Sequence, residues 1–368
     1  MINIKDKVFK ILTINPGSTS TKLALFDNEQ LLAEKTVRYD SLAFAGCADL
    51  MEQKPLRMVC LTEFLQENGT EMPELDAVVG RGGLIRPVEA GTYTVNEQML
   101  ADLYAGVAGV HASSLGGVMA EEIGRQHGIP AYIVDPVVVD ELEPVAKISG
   151  LPGIRRVSVF HALNTRAVAR LCAADLGLRY EDARFIVAHL GGGISVGAHR
   201  YGRVIDVNNG LTGEGPFSPE RSGGILLNAI IERCYSGEIS KQEMLDMVSK
   251  NGGMKAYLGT HDLGKAEEMI LQGDEKAAII VNAMAYQVCK EIGAMAAVLE
   301  GRIDGIILTG GLAYSPRFTG AIKQRVDQLA PVYTYPGENE LQALAAGALR
   351  VLRGEEKAKT YEPIISKQ

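Results

Sequence analysis

The sequence predicts an α/β protein of two domains made by internal duplication. Three observations predict it. Short apolar strands alternate with helical stretches, each half of the chain carries a glycine-rich hairpin, and the order of motifs in the first half returns in the second. A length of 368 residues, 46% hydrophobic and 22% charged, is an ordinary globular composition and long for one domain. Domains are expected over residues 1–150 and 151–368, the first completed by the C-terminal helix.

Residues 8–14 are apolar and β-rich and stop at Asn15-Pro16-Gly17-Ser18, a strong turn signal. Residues 22–27 read as the returning strand and 31–37 as a third. Residues 56–67 and 115–127 read as helices, and 77–80 and 131–134 as short buried strands. In the second half, residues 185–189, 195–199 and 202–207 read as strands, the first two joined by Gly191-Gly192-Gly193. Setting Asn15 on His189 also sets Gly17 on Gly191 and Ala24 on Ala198. Residues 75–84 match 303–312, and Pro130-Ala131-Tyr132 matches Pro331-Val332-Tyr333. Duplicated lobes of this kind are expected to face a ligand-binding cleft between them.

A net charge of −8 argues against a nucleic-acid surface but leaves room for a locally basic site that takes an anion. The first ten residues hold three lysines and no apolar run long enough for a signal peptide. No stretch approaches the ~20 apolar residues of a membrane helix, so a cytoplasmic location is expected. Cys47, Cys60, Cys172, Cys234 and Cys289 show neither CxxC pairing nor metal spacing, and read as buried or half-buried reduced thiols. The methionines form no stripe and read as core.

Asn15-Pro16-Gly17-Ser18-Thr19-Ser20-Thr21-Lys22 combines small side chains, free backbone amides, hydroxyls and a lysine, which suit phosphate oxygens. It lacks the spacing of a Walker A loop, and alone it is equally a plain hairpin turn. The duplicate, His189-Leu190-Gly191-Gly192-Gly193, has three glycines whose entropic cost is better explained by close approach of a phosphate chain. Leu308-Thr309-Gly310-Gly311-Leu312 ends a buried strand on two glycines, giving either a tight turn or a surface for a flat or charged ligand. Arg81 stands directly after the strand 77–80, where strand ends line clefts, and Arg221 lies on a loop after Pro-Phe-Ser-Pro-Glu.

Together these motifs resemble the ATPase fold shared by actin, sugar kinases and heat-shock chaperones, which implies two duplicated actin-like (ribonuclease H-like) domains with an interdomain active-site cleft. More narrowly, Ile14 to Lys22, His189 to Gly193, Arg221-Ser222-Gly223 and Thr309-Gly310-Gly311 resemble signatures of the acetate kinase family, over roughly residues 8–353. The forms Asn-Pro-Gly, Gly-Arg-Gly-Gly-Leu and Pro-Glu-Arg-Ser-Gly look like its butyrate kinase branch. The resemblance implies ATP-dependent phosphorylation of a short-chain fatty acid, with Mg²⁺, in a homo-oligomer. It places Asn15, Ser18, Ser20 and Lys22 around the transferred phosphoryl group. Arg81 and Arg221 would bridge the substrate carboxylate and the γ-phosphate, His189 would lie beside the phosphoryl in flight, and His111 would be a second site histidine. Gly191, Gly192, Gly193, Thr309, Gly310 and Gly311 would hold the nucleotide, and Asp135 and Glu340 the metal shell.

Two departures leave alternatives. Phe160-His161 comes well after Asp135, whereas acetate kinases have Phe-His close behind the Asp strand, so Asp140 rivals Asp135. The late acidic motif is shifted, so Glu338 rivals Glu340. His127, His161, His199 and His261 read as structural or surface residues. Gly82, Gly83 and Ala188 stand where acetate kinases resemble bulkier residues, which implies a deeper acyl pocket unless the glycines only make a turn.

The chemistry suits such a site. A carboxylic acid with a pKa near ~4 is already an anion at neutral pH, so no general base is needed. What helps is cationic forks and pre-aimed donors against the charge of two anions. The rival readings are an acetate or propionate kinase, and an actin-like ATPase switch, which needs no carboxylate clamp.

Overall fold

The computed structural model describes residues 7–40 and 42–362; the first six residues of the N-terminal stretch therefore lie outside the described ones. In chain order the first elements are β1 (Lys10–Pro16), β2 (Ser20–Asp27), β3 (Gln30–Arg38), α1 (Lys54–Glu67), β4 (Ala77–Gly80), β5 (Thr92–Thr94), α2 (Glu97–Ala105), α3 (Ser114–His127) and β6 (Ala131–Val134). Next come α4 (Ala162–Asp175), β7 (Arg184–Leu190), β8 (Ile194–Arg200), β9 (Arg203–Val207), α5 (Leu227–Tyr235), α6 (Lys241–Ser249), α7 (Gly253–Leu258), α8 (Leu263–Leu271) and α9 (Glu275–Val298). The chain closes with β10 (Gly305–Gly310), α10 (Pro316–Val326), β11 (Val332–Pro336), α11 (Glu340–Leu352) and β12 (Lys359–Thr360).

The chain forms two compact units, Met1–Val139 with Asn339–Gln368, and Asp140–Glu338. The boundary expected at residue 150 falls inside the second unit. Among the described residues each unit has one sheet: seven strands ordered β12-β5-β6-β4-β1-β2-β3 in the first, five ordered β11-β10-β7-β8-β9 in the second. The run β6-β4-β1-β2-β3 repeats the order and strand directions of β11-β10-β7-β8-β9.

The sequence echoes fall on matching strands in matching register. Ile14 pairs with Gly80 as Ala188 pairs with Leu308, and Val78 pairs with Ala131 as Ile306 pairs with Val332. One echo needs correction. Thr13 pairs with Ala24, whereas its counterpart Val187 pairs with Gly197, so the second hairpin is one residue shorter and Ala24 corresponds to Gly197, not Ala198. The register shifts in the outer strands, at Leu25/Phe26 and Ala198/His199, carry the same one-residue offset.

Each unit has its own core. In the first, Leu12, Ile14, Leu23, Leu61, Phe64, Val78, Leu115, Met119 and Ile133 are buried together. In the second, Ile186, Ala188, Val196, Met284, Val288, Ile292, Ile306 and Phe318 pack on one face of the sheet, with Phe185, Val187, Val168 and Cys172 in a cluster beside α4. All five cysteines are free, and Cys234 is exposed rather than buried or half-buried. Among the described residues no helix is long and apolar enough to cross a membrane.

Glycines set how closely α3 approaches β4. A Cβ on Gly80 would lie 2.0 Å from the Gly116 carbonyl oxygen, and one on Gly116 would lie 2.5 Å from the Arg81 amide nitrogen. A Cβ on Gly83, whose φ is +65°, would meet the Ser114 Cα at 2.5 Å, and one on Gly82 would meet Pro136 at 2.7 Å. Gly80, Gly83 and Gly116 thus allow backbone-to-backbone packing, while Gly82 and Gly117 lie against the side chains of Pro136, Ile133 and Leu103. The space a side chain would take on Gly82 or Gly83 is filled by Pro136, Ile133 and Ser114.

Candidate active site

In the first unit four of the expected residues converge. Asn15 lies in β1 beside Lys22 of β2 in the strand register, Arg81 follows β4, and Glu340 begins α11, which packs on β1 and β4. Arg81 Nη1 donates to Glu340 Oε1, and Asn15 Nδ2 donates to Glu340 Oε2 at 2.5 Å. Burial would raise the Glu340 carboxyl, but the Arg81 charge and hydrogen bond, the Asn15 amide and the Lys22 charge outweigh it and hold the carboxyl below its usual range. Asn339, in the left-handed region at φ 46°, turns the chain into α11 and so sets Glu340 in the first helical turn, where an acid is favoured.

The hairpin tip carries Ser18, which is exposed, and Ser20, whose carbonyl accepts the Gly17 amide at 2.7 Å. His111 is exposed and its Nδ1 lies 2.8 Å from Ser113 Oγ, at the turn into α3. Asp135 is buried at φ 37° after β6, and its Oδ1 accepts the Gly91 amide at 2.7 Å. Of the rivals, Asp140 is paired with Lys147 Nζ at 2.7 Å, and Glu338 is exposed. No group of three His, Cys, Asp or Glu side chains among the described residues gathers as a metal cluster.

In the second unit the expected and the unexpected meet at the end of β7. His189 is 1% exposed, and its Nδ1 lies 2.7 Å from Asn164 Oδ1. His161, read from sequence as structural or surface, stacks on it with ring centroids 3.7 Å apart and planes 9° from parallel, and its own Nδ1 lies 3.0 Å from Ser195 Oγ. Asn164 Nδ2 donates to the Glu338 carbonyl at 2.7 Å, and the Thr309 hydroxyl donates to the Gly337 carbonyl at 3.1 Å. The sequence reading missed Asn164, which lies three residues after the Phe160-His161 pair that it noted only as displaced.

The glycine triplet has an internal reason. A Cβ on Gly193 would lie 1.7 Å from Arg221 Nη1, one on Gly192 3.3 Å from Glu220 Oε2, and one on Gly191 2.9 Å from His189 Nε2. The loop is bare so that Arg221 and His189 can lie against it. Arg221 Nη1 donates to the Gly210 carbonyl, its Nε is buried without a partner, and no carboxylate among the described residues pairs with it. Burial pulls the guanidinium below its usual range, only partly offset by Glu220. Gly310, at φ 90°, faces the Leu190 carbonyl, whereas the Cα of Gly311 faces open space. Ala188 points the other way, into the core with Ile186 and Leu190, so it does not line the His189 side of the strand.

Two sheets of this order, each carrying the hairpin and the parallel crossovers, form the actin-like ATPase fold. The chain is similar in structure to an acetate kinase from Porphyromonas gingivalis, with a TM-score of 0.76 at 20% identity, covering 94% of this chain and 99% of that one. It is similar to a propionate kinase from Francisella tularensis subsp. tularensis SCHU S4 (TM-score 0.74, 20% identity, 92% and 98% covered). A more distant likeness is to a putative N-acetylmannosamine kinase from Listeria monocytogenes (TM-score 0.51, 15% identity, 95% and 100% covered). Within this fold, residues 146–324 match the acetokinase family, a segment that holds His161, Asn164, His189, the glycine triplet, Arg221 and Thr309.

Proposed function

We propose that this protein is an ATP-dependent kinase of carboxylates that converts a short-chain fatty acid to its acyl phosphate, and the reverse. The observation that carries this reading is Arg221: a half-buried arginine with a buried, unpartnered Nε and no carboxylate bonded to it among the described residues, laid against a bare glycine loop beside paired histidines. A buried cation costs several kcal/mol unless something anionic meets it. The acetokinase match over the same segment supports the choice of anion, and so do the acetate and propionate kinases of the same fold. The butyrate-type motif variants favour butyrate or a branched relative as substrate.

The transfer needs no base. A carboxylate oxygen attacks the γ-phosphorus, the new O–P bond forms as the bond to ADP breaks, and no proton moves. Arg221 and Arg81 neutralise carboxylate and phosphoryl charge. His189 donates Nδ1–H to Asn164 Oδ1, so it offers a second N–H from Nε2 only as the imidazolium. His161, whose Nδ1 can accept the Ser195 hydroxyl, can donate from Nε2 as charge builds on the phosphoryl oxygens. Asn15, Ser18, Ser20 and Lys22 hold the phosphoryl group, and residues 191–193 and 309–311 hold the rest of the nucleotide. Glu340, kept ionised, and the buried Asp135 are oxygen donors of the kind Mg²⁺ takes, and would hold it through one or two carboxylates. That ion would supply charge neutralisation on the phosphates. Trapping of acyl phosphate with hydroxylamine, across acetate to hexanoate and branched acids, tests the reading. Hydroxamate from butyrate or isobutyrate is expected to exceed that from acetate, and no hydroxamate from any acid would sink it.

A further inference from the structure

Arg57 lies on α1, outside every motif so far used, yet it is 0% exposed. Its Nη1 donates to the Ser20 carbonyl at 2.9 Å and to Thr21 Oγ1 at 2.8 Å, and its Nη2 donates to the Gly17 carbonyl at 3.0 Å and to Gln53 Oε1 at 2.8 Å. Its guanidinium carbon sits 5.0 Å from the Tyr39 ring centre and 4.8 Å from that of Phe44. No carboxylate among the described residues pairs with it, and its Nε is buried without a partner. A full positive charge is therefore buried directly under the tip of the first hairpin and held there by that hairpin's own carbonyls.

This has a consequence for the hairpin. The carbonyls of residues 17 and 20 are turned onto Arg57, and the Gly17 amide is taken by the Ser20 carbonyl. The Ser18 and Thr19 amides donate to no other described residue, and both residues are exposed. A loop whose carbonyls are bound from beneath by a cation, with amides left over, has the polarity that suits an anion. An ordinary hairpin tip needs no such cation, because its carbonyls are satisfied by water.

We propose that Arg57 is a positioning residue for the γ-phosphoryl group: it locks the Gly17–Thr21 hairpin with its amides presented to the phosphoryl oxygens, and adds positive potential from below. This deepens the kinase reading of the same site and rests on it. Lysine keeps the charge but cannot bridge four acceptors in one plane. In Arg57→Lys, ATP is expected to bind about tenfold more weakly while ADP binding changes less than about twofold. The kcat per folded molecule should fall about tenfold with the KM for the acid unchanged. A residue that served stability alone would lower the melting temperature and leave the ATP-to-ADP ratio and kcat per folded molecule as they were, and that result overturns the proposal. If Arg57→Lys does not fold, Thr21→Val, which removes one acceptor, decides: a loss of ATP affinity of about threefold with ADP unaffected supports it, and unchanged affinities overturn it. Wild-type hydroxamate formation separates the two ideas. Its absence defeats the carboxylate kinase reading, whereas the ATP-to-ADP affinity ratio tests Arg57 independently.

Discussion

Arg221 and Arg81 are both strand- or loop-end arginines, but their surroundings differ. Arg81 already faces Glu340, so replacing it strands a half-buried carboxylate and mixes stability with catalysis. Arg221 faces a carbonyl and leaves its own Nε unpaired, so Arg221→Ala isolates the proposed anion contact. Its kcat/KM for the acid is expected to fall by ~10²-fold or more while ATP still binds, which steady-state kinetics and nucleotide titration check. Near-wild-type turnover would remove Arg221 from the site. A second residue makes a pH prediction. His199 is fully buried and desolvated, with Arg166 and Arg170 nearby, and its pKa is lowered to about 3. Its unfolded-state pKa lies near ~6.5, so between these values the unfolded chain binds the extra proton. The stability it contributes is whole above pH ~6.5 and is lost as pH falls toward its folded pKa, at ~1.4 kcal/mol per unit. Urea unfolding at pH 7 and pH 5 should show this loss, and His199→Gln should flatten it. A variant with the same pH slope as wild type would show that other groups carry the acid sensitivity.

At the scale of elements, the sequence was most legible where strand and turn chemistry are local. β4 and β6 were readable to the residue, and β1, β2, β7 and β8 to within two or three, because apolar runs stop at glycine and proline. The helices α5–α9 were not read. α5 is short and carries an amphipathic pattern, Leu227, Ile230 and Ile231, that was passed over, and the 24-residue α9 is alanine-rich with apolar residues spread around it. The glycine runs were visible, but what packs against them was not. Gly82-Gly83 looked like missing substrate-side volume, while Pro136 and Ser114, on which their Cβ positions fall, are distant in sequence and carry no local signal. Contact between elements, not turn chemistry, decides what these glycines are for. Gly83→Val is therefore expected to destabilise the first unit by more than ~3 kcal/mol, since it adds a β-branched side chain at φ +65° against the Ser114 backbone. Gly116→Ala should cost ~1–3 kcal/mol. Thermal or urea unfolding checks both. A folded Gly83→Val protein with a shifted acyl preference would return the glycine to the substrate pocket.

Over the whole molecule, the duplication explains why the candidate site residues are scattered through the sequence. Asn15 and His189 are the same position in two copies of one hairpin, and Arg81, just after β4, corresponds to Thr309, within β10. The repeat was legible because equivalent strands kept similar residues in register. The Asn15–Arg81–Glu340 cluster was not derivable from the repeat, because Glu340 enters the first unit from the far end of the chain. That return is structural as well as chemical. α11 places Leu341, Leu344 and Leu349 in the first unit's interior, Gly347 lies over Val134, and the buried Tyr361 hydroxyl donates to Asp102 at 2.6 Å. Each buried leucine contributes ~1.5–3 kcal/mol, so these side chains together rival the ~5–15 kcal/mol total stability of a domain. A chain ended at Glu338 is therefore expected to lose the fold of residues 7–139, while residues 140–338 keep their own core. Limited proteolysis with mass analysis should leave a resistant fragment near 140–338, and circular dichroism should show one unfolding transition fewer than the full chain. A truncated protein that resists protease over its whole length would show that the first sheet stands without α11.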